Sequence, residues 1–254
     1  MLGGLQYQLL KRVSPGEPNH ASGKAYQGRS KLKVLLGAEI IDSLRGKWVI
    51  DFGCGEGEEA VEIAREGAAR VTGIDIREPL LELARQRAEN AGLADRCFFQ
   101  SRAECNADVI ISIDSFEHFR DPAAILRAMY DLLRPGGFVA VSFGPTWYHP
   151  YGGHLFSVFP WAHVIFSEEA LIRWRSDIRN DGATRFGEVA GGLNQMTISK
   201  FRRLVRESPF HLSRLELIPV RKLRFAHNFL TQEFTTSVVR CKLEKTGEPK
   251  ATNG

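Results

Sequence analysis

The sequence predicts an α/β chain wound on a mostly parallel sheet, and three observations carry this. Short apolar runs at residues 48–50, 71–74, 97–100, 108–113 and 138–143 have the continuous apolarity of buried parallel strands. Segments of helical period separate them. The first run passes straight into a glycine-rich turn, Asp51-Phe52-Gly53-Cys54-Gly55-Glu56-Gly57. A helical pattern follows at once, with Ala60, Val61, Ile63 and Ala64 on one face.

A glycine turn between strand and helix lets a ligand approach bare backbone, with the helix N-terminal amides aimed at it. Dinucleotides use G-x-G-x-x-G, with a pyrophosphate over the helix start. Here the glycines alternate behind an acid, and Glu56, Glu58 and Glu59 crowd the helix start. Those charges repel a pyrophosphate and can accept from an ammonium. Asp75 closes the second run roughly 20 residues beyond the glycines, where a βαβ nucleotide site places its ribose-binding acid. A helix cap is the plainer role for Asp75, since Pro79 stands just inside the next helix.

The D-F-G-C-G-E-G turn resembles motif I of the class I S-adenosylmethionine (SAM)-dependent methyltransferases. The phrase L-L-R-P-G-G-F-V-A-V at residues 132–141 resembles the L-x-P-G-G signature of that superfamily. The Glu117-His118 pair resembles the E-H of its ubiquinone-biosynthesis and cyclopropane-synthase types. The resemblance covers residues 47–143. It implies a Rossmann-like, doubly wound seven-stranded sheet, mostly parallel with an antiparallel last strand. It also implies SAM as cofactor and methyl transfer as the reaction. On this reading Asp51, Gly53, Cys54 and Gly55 hold the methionine end, and Asp75 with Ile76 holds the ribose. The family's adenine-binding acid follows its third strand, but Arg102 stands at that place. Ala103 and Glu104, or backbone groups, are left to supply the contact, and a surface role for Glu104 is an equal alternative.

The fourth run ends in Asp114-Ser115-Phe116-Glu117-His118-Phe119. By the switch-point rule this segment faces the reactive end of the cofactor. Asp114, Glu117 and His118, with His149 and His154, are the candidates for a base or for orienting the acceptor. Bracing the loop is the alternative role.

Residues 144–196 form an aromatic-rich insertion after the fifth strand, too long for a bare connection. They read as a lid over the acceptor, with self-packing as the alternative. Their histidines are irregularly spaced with no acid among them, so no metal centre is expected. Residues 155–166 are too short to span a bilayer but are apolar enough for a peripheral membrane contact. A helix capped by Thr197 and two strands, 212–220 and 234–243, complete the core through residue 245. Arg221, Lys222, Arg224 and His227 between them read as a solvated loop, or as a site for an anionic group of the substrate.

Residues 1–46 read as an N-terminal helical and loop segment: a short amphipathic helix, a loop whose Lys24 and Tyr26 read as surface residues or, as the resemblance implies, as a flap over the cofactor, and one helix over 31–44. The core spans 47–143 and a tail 246–254. The 254 residues carry a net charge of +4 without dense basic clustering, so nucleic acid is not expected as partner. Four cysteines without metal spacing fit reduced thiols in a cytoplasmic protein, and no secretory leader is expected. The acceptor class is a small molecule, lipid or glycan. Two rivals stand beside methyl transfer: a non-catalytic SAM-binding regulator and an NAD(P)-dependent oxidoreductase.

Overall fold

The computed structural model of the chain describes residues 2–14, 30–156, 159–179, 181–189 and 192–246. Lys24 and Tyr26, the tail from 247 and part of the 155–166 stretch lie outside the described residues.

Three helices, α1 (Leu2–Val13), α2 (Lys31–Leu36) and α3 (Ala38–Asp42), precede the first strand. The alternating core is β1 (Trp48–Phe52), α4 (Glu58–Arg65), β2 (Arg70–Ile74), α5 (Glu78–Asn90), β3 (Cys97–Gln100), β4 (Ala107–Ile113), α6 (Pro122–Leu132) and β5 (Leu133–Phe143). The insertion holds α7 (Ala162–Ile165) and α8 (Glu168–Ser176). The chain then returns through α9 (Ile198–Glu207), β6 (His211–Pro219), α10 (Gln232–Thr235) and β7 (Thr236–Glu244).

The seven strands lie in the order β3-β2-β1-β4-β5-β7-β6. All pairs from β3 to β5 are parallel, while β7 runs antiparallel to both β5 and β6. Successive strand residues face opposite sides. Val49, Val71, Val109 and Ile111 therefore pack under α2 to α5, while Ile50, Ile110, Val139 and Val141 pack under α6 and α9. The connections leave β1 toward β2 on one side and β4 lies on its other side. A crevice opens where the strand order reverses, at the carboxyl ends of β1 and β4.

Two elements differ from the sequence expectation. The single helix over 31–44 is broken at Gly37, whose φ is 83°. Arg240 from β7 donates to the carbonyls of Leu35 and Val34 and so caps the end of α2. The R-P-G-G turn is counted within β5: Leu133 pairs with Ala107, and pairing resumes at Phe138 opposite Val109. The residues between bulge outward, and Arg134 is anchored there by a 2.6 Å hydrogen bond to Asp108.

The insertion packs largely on itself and on α1. Tyr7 and Leu10 of α1 join Phe156, Phe166, Leu171, Trp174 and Phe186 in a third apolar cluster, separate from the two sheet faces. Side chains of Ser167 and Thr197 cap α8 and α9 as their positions suggest.

Gly73 in β2 has ordinary extended backbone, but a Cβ there would lie 2.5 Å from the Phe99 ring and 2.9 Å from Cys54 Sγ. Gly73→Ala is therefore expected to destabilise the fold by about 1–3 kcal/mol through overpacking, read as a lower denaturation midpoint with an unchanged m-value. An unchanged midpoint would show that β3 is free to shift away.

Candidate active site

The crevice is built from three strand ends. Asp51 near the end of β1 is buried, and its Oδ2 meets no hydrogen-bond partner in the protein. Burial first, then the nearby Glu59 charge, pushes its carboxyl well above the usual range. An unpaired buried acceptor calls for a donor. The turn beyond it needs glycine for two reasons. Gly53 (φ 85°) presses on Ser115, so that a Cβ would sit 2.8 Å from its Oγ. Gly55 (φ 51°) faces open space, with nothing within 4 Å of where a Cβ would be.

Asp75 ends β2 and is tied to the turn by the Gly55 amide at 3.1 Å. Its other contacts come from Arg77: the amide, Nε and Nη2, each at 3.0 Å. Burial would raise this carboxyl, but the Arg77 contacts outweigh it and hold it low. The guanidinium occupies the acceptor positions that a ribose diol would use, and it is a solvent-facing group able to swing aside. Ile76 is 91 % exposed beside Asp75, an apolar side chain that a purine face would cover.

The end of β4 supplies the third wall. Asp114 adopts a left-handed conformation (φ 47°) and pairs with Lys31 at 3.1 Å. Lys31 also reaches Glu59 at 3.0 Å, which links the start of α2 to the start of α4 across the crevice. Burial would lower the ammonium's pKa, but Asp114 and Glu59 together raise it. Burial and then Glu117 push Asp114 up to about 6, against the pull of Lys31. A raised acid favours the protonated fold. Ionising Asp114 therefore costs stability, and that cost develops as pH rises from the usual carboxylate range through about 6.

Glu117, His118 and His154 converge beside Asp114, offering ligand atoms within 4.8 Å of one another. Glu117 is buried; Oε1 accepts from the Gly144 amide at 3.3 Å and Oε2 is unpartnered. His118 Nδ1 donates to the Gly192 carbonyl at 2.8 Å and His154 Nδ1 to that of Gly152 at 3.0 Å. A carbonyl can only accept, so Nε2 is the lone-pair nitrogen of each neutral ring. In the neutral ring, His154 Nε2 then faces the Glu117 carboxylate with no proton between them, and His118 stands beside the pair. Such a group takes up a proton, a hydroxyl donor or a cation. Burial would lower the His154 pKa, but Glu117, 3.9 Å from its Nε2, raises it above the ordinary value. Pairing of protonated His154 with Glu117 therefore stabilises the fold fully below pH about 6.5, and this is lost as pH rises through the folded-state pKa.

Other expected residues are placed elsewhere. Glu104 pairs with Arg70 at 3.2 Å, at the amino end of β2. That is the opposite edge of the sheet from Asp75, so Glu104 does not reach an adenine in the crevice. Ala103 packs under the β4–β5 face. His149 uses Nδ1 to accept from the Tyr151 amide at 3.0 Å. Its pKa is lowered to about 4 by burial, then by His163 and His154, so it stays neutral near pH 7. Cys54 is buried in the turn, and its thiol pKa is pushed up by burial and then by Asp51. Metal was not expected because the insertion's histidines lack an acid; the fold brings Glu117 to His154 from 37 residues upstream. Lys31, Arg77, Ser115 and Asn194 were not foreseen. Asn194 Nδ2 donates to the carbonyls of Phe116 and Phe119, at 2.7 and 2.9 Å, and so fixes the loop that carries Glu117 and His118.

A parallel core closed by a reversed hairpin, with acids where a dinucleotide turn would receive phosphate, is the arrangement of the class I SAM-dependent methyltransferases, which this chain resembles over its core. Residues 50–141 match the family described as Methyltransferase domain. The ubiquinone biosynthesis O-methyltransferase of Neisseria meningitidis is 44 % identical over 106 residues, covering 39 % of this chain and 44 % of the relative. That of Vibrio parahaemolyticus is 39 % identical over 118 residues, covering 44 % and 49 %. The chain thus spans about half the length of the curated relatives it matches. Among solved structures, the magnesium protoporphyrin IX methyltransferase of Synechocystis, with bound SAM, shares the fold at a TM-score of 0.53. It is 14 % identical, over 96 % of this chain and 91 % of that one. A cyclase, SpnF, shares it at 0.57 and 14 % identity, over 97 % and 96 %.

The orphan oxygen of Asp51, the open face of Gly55 and the bare Ile76 all fit SAM. Asp75→Ala is expected to weaken SAM binding by about 1–3 kcal/mol, the worth of a charge-assisted hydrogen bond. Arg77→Ala, which removes the competing guanidinium, is expected to leave binding unchanged or tighter. Calorimetry reads both, and weaker binding by the Arg77 variant would show that its side chain holds the cofactor rather than competing with it.

Proposed function

We propose that the chain transfers the methyl group of SAM to a hydroxyl of an apolar small molecule or lipid. The single observation that carries this reading is the convergence of Glu117, His118 and His154 beside the glycine turn. SAM supplies a methyl already activated on a sulfonium, so the protein's work is to align an oxygen and remove its proton. Asp51 and the Gly53–Gly55 backbone receive the methionine end, and Asp75 receives the ribose. His154 Nε2 takes the hydroxyl proton, and Glu117 stabilises the imidazolium that results. His118, fixed by Gly192, orients the same hydroxyl. Tyr148, Trp147 and their neighbours bound the acceptor side and exclude water. The naming of several relatives as O-methyltransferases supports oxygen as the nucleophile. The SpnF likeness shows that the fold alone does not choose the chemistry. The partner class is an apolar acceptor, not nucleic acid.

A second reading rests on the same convergence. The three side chains have the ligand types of a divalent-cation site, and the unpartnered Glu117 Oε2 would be satisfied by one. Titrating manganese(II) into the chain in the calorimeter separates the readings, because a base cluster binds none.

If His154 is the base, kcat/KM rises with pH through an apparent pKa above 6.5, since the neutral ring is the active form. Glu117→Gln removes the charge that holds the proton. It should move that limb to lower pH and lower the plateau rate, by less than the roughly 10²–10⁴-fold that a positioned base is worth. His154→Gln should abolish the limb. A limb at unchanged pH in the Glu117 variant would remove the pair from the mechanism.

A further inference from the structure

The segment between β6 and β7 has no part in the site described above, yet it holds the most exposed large apolar side chains among the described residues of the carboxyl half. Phe225 is 90 % exposed, Phe229 80 % and Leu230 82 %. The segment is nonetheless firmly built. The Asn228 carboxamide accepts from the amides of Leu230 and Thr231, at 2.9 and 3.2 Å. His227 Nδ1 lies 2.7 Å from Thr235 Oγ1, and the Val220 amide donates to the Thr235 carbonyl at 2.8 Å. Apolar groups held outward by an ordered turn are not a by-product of slack chain.

The charge around them has one sign. Arg221, Lys222 and Arg224 are exposed, and none has a carboxylate partner among the described residues. No acid occurs from residue 220 to 232. The next, Glu233, is turned inward to accept from the amides of Ile198 and Ser199. The tip also lies beside the crevice. β7 starts at the carboxyl end of β5, and Phe234 packs on Tyr148 of the insertion with ring centroids 5.5 Å apart.

We propose that this tip docks on an anionic bilayer surface. Phe225, Phe229 and Leu230 enter the boundary between headgroups and acyl chains, and Arg221, Lys222 and Arg224 meet lipid phosphates. A protein partner fits less well. Aromatic side chains bury ~150–250 Å² each, so three projecting groups fall short of the ~800 Å² per side of a stable protein interface. Docking here sets the acceptor mouth against the membrane, where an apolar acceptor is dissolved. That consequence rests on the proposed reaction; the docking itself does not.

The test is co-sedimentation of the full chain with vesicles of phosphatidylcholine, with and without phosphatidylglycerol, in the absence of SAM and acceptor. Binding should require phosphatidylglycerol and weaken with added salt. Phe225→Ser should lower the partition coefficient about tenfold, and Lys222→Gln about fivefold. Leu5→Ser on the exposed face of α1 should change nothing and serves as the matched control. Thermal unfolding and SAM affinity confirm that each variant is intact. Failure of the wild-type chain to bind anionic vesicles, or equal binding by the Phe225 variant, overturns the docking and leaves methyl transfer standing. A wild-type dimer that Phe225→Ser dissociates would instead assign the tip to self-association and overturn it equally.

Discussion

The structure turns on the position of β1, which has a parallel neighbour on each side. Both of its edges are used, so the chain leaving it must turn at once, over or under the sheet, and the connections on its two sides diverge. The space between them is the crevice. Gly53 can lie against Ser115 only because it lacks a side chain, and Asp51 is thereby left on the floor with one oxygen unanswered. That contact joins the β1 turn to the β4 end at the floor of the crevice.

Charge is concentrated there at a cost. Asp51, Glu59 and Asp114 stand within reach of one ammonium, Lys31, and Glu117 adds its charge beside Asp114. Buried carboxylates that outnumber their cations hold protons above the normal range, as Asp51 and Asp114 do. Such a site is poised to receive positive charge, and SAM brings both an ammonium and a sulfonium. Two further signs of strain accompany it: Asp114 and His154 are both left-handed without being glycine. Strain of this kind persists where surrounding contacts over-determine the backbone.

Much of this was legible in the sequence because it is local. The apolar runs, the D-x-G-x-G-x-G turn, the acid ending β2 and the caps at Ser167 and Thr197 are each decided by a few consecutive residues. What residue spacing left open was non-local. Glu104 follows β3 closely in sequence, but the chain has already run back to the amino edge before reaching it, and residue spacing does not reveal that. The continuous helix over 31–44 was broken at Gly37 because Arg240, some 200 residues away, binds the freed carbonyls. The insertion's histidines carried no metal or base signature by themselves; His154 gains one only beside Glu117. The self-packing of the insertion draws on α1, which supplies Tyr7 and Leu10 to cover it from far along the chain.

The end of the insertion also grips the β4 loop. Asn194 holds Phe116 and Phe119, its amide donates to the Glu117 carbonyl, and the Gly192 carbonyl accepts from His118 Nδ1. On the proposed function, the stretch that shapes the acceptor side therefore sets the aim of the proton-handling groups as well. A change of insertion cannot retune selectivity while leaving reactivity untouched. Descendants of this chain that adopt new acceptors must carry both traits across together.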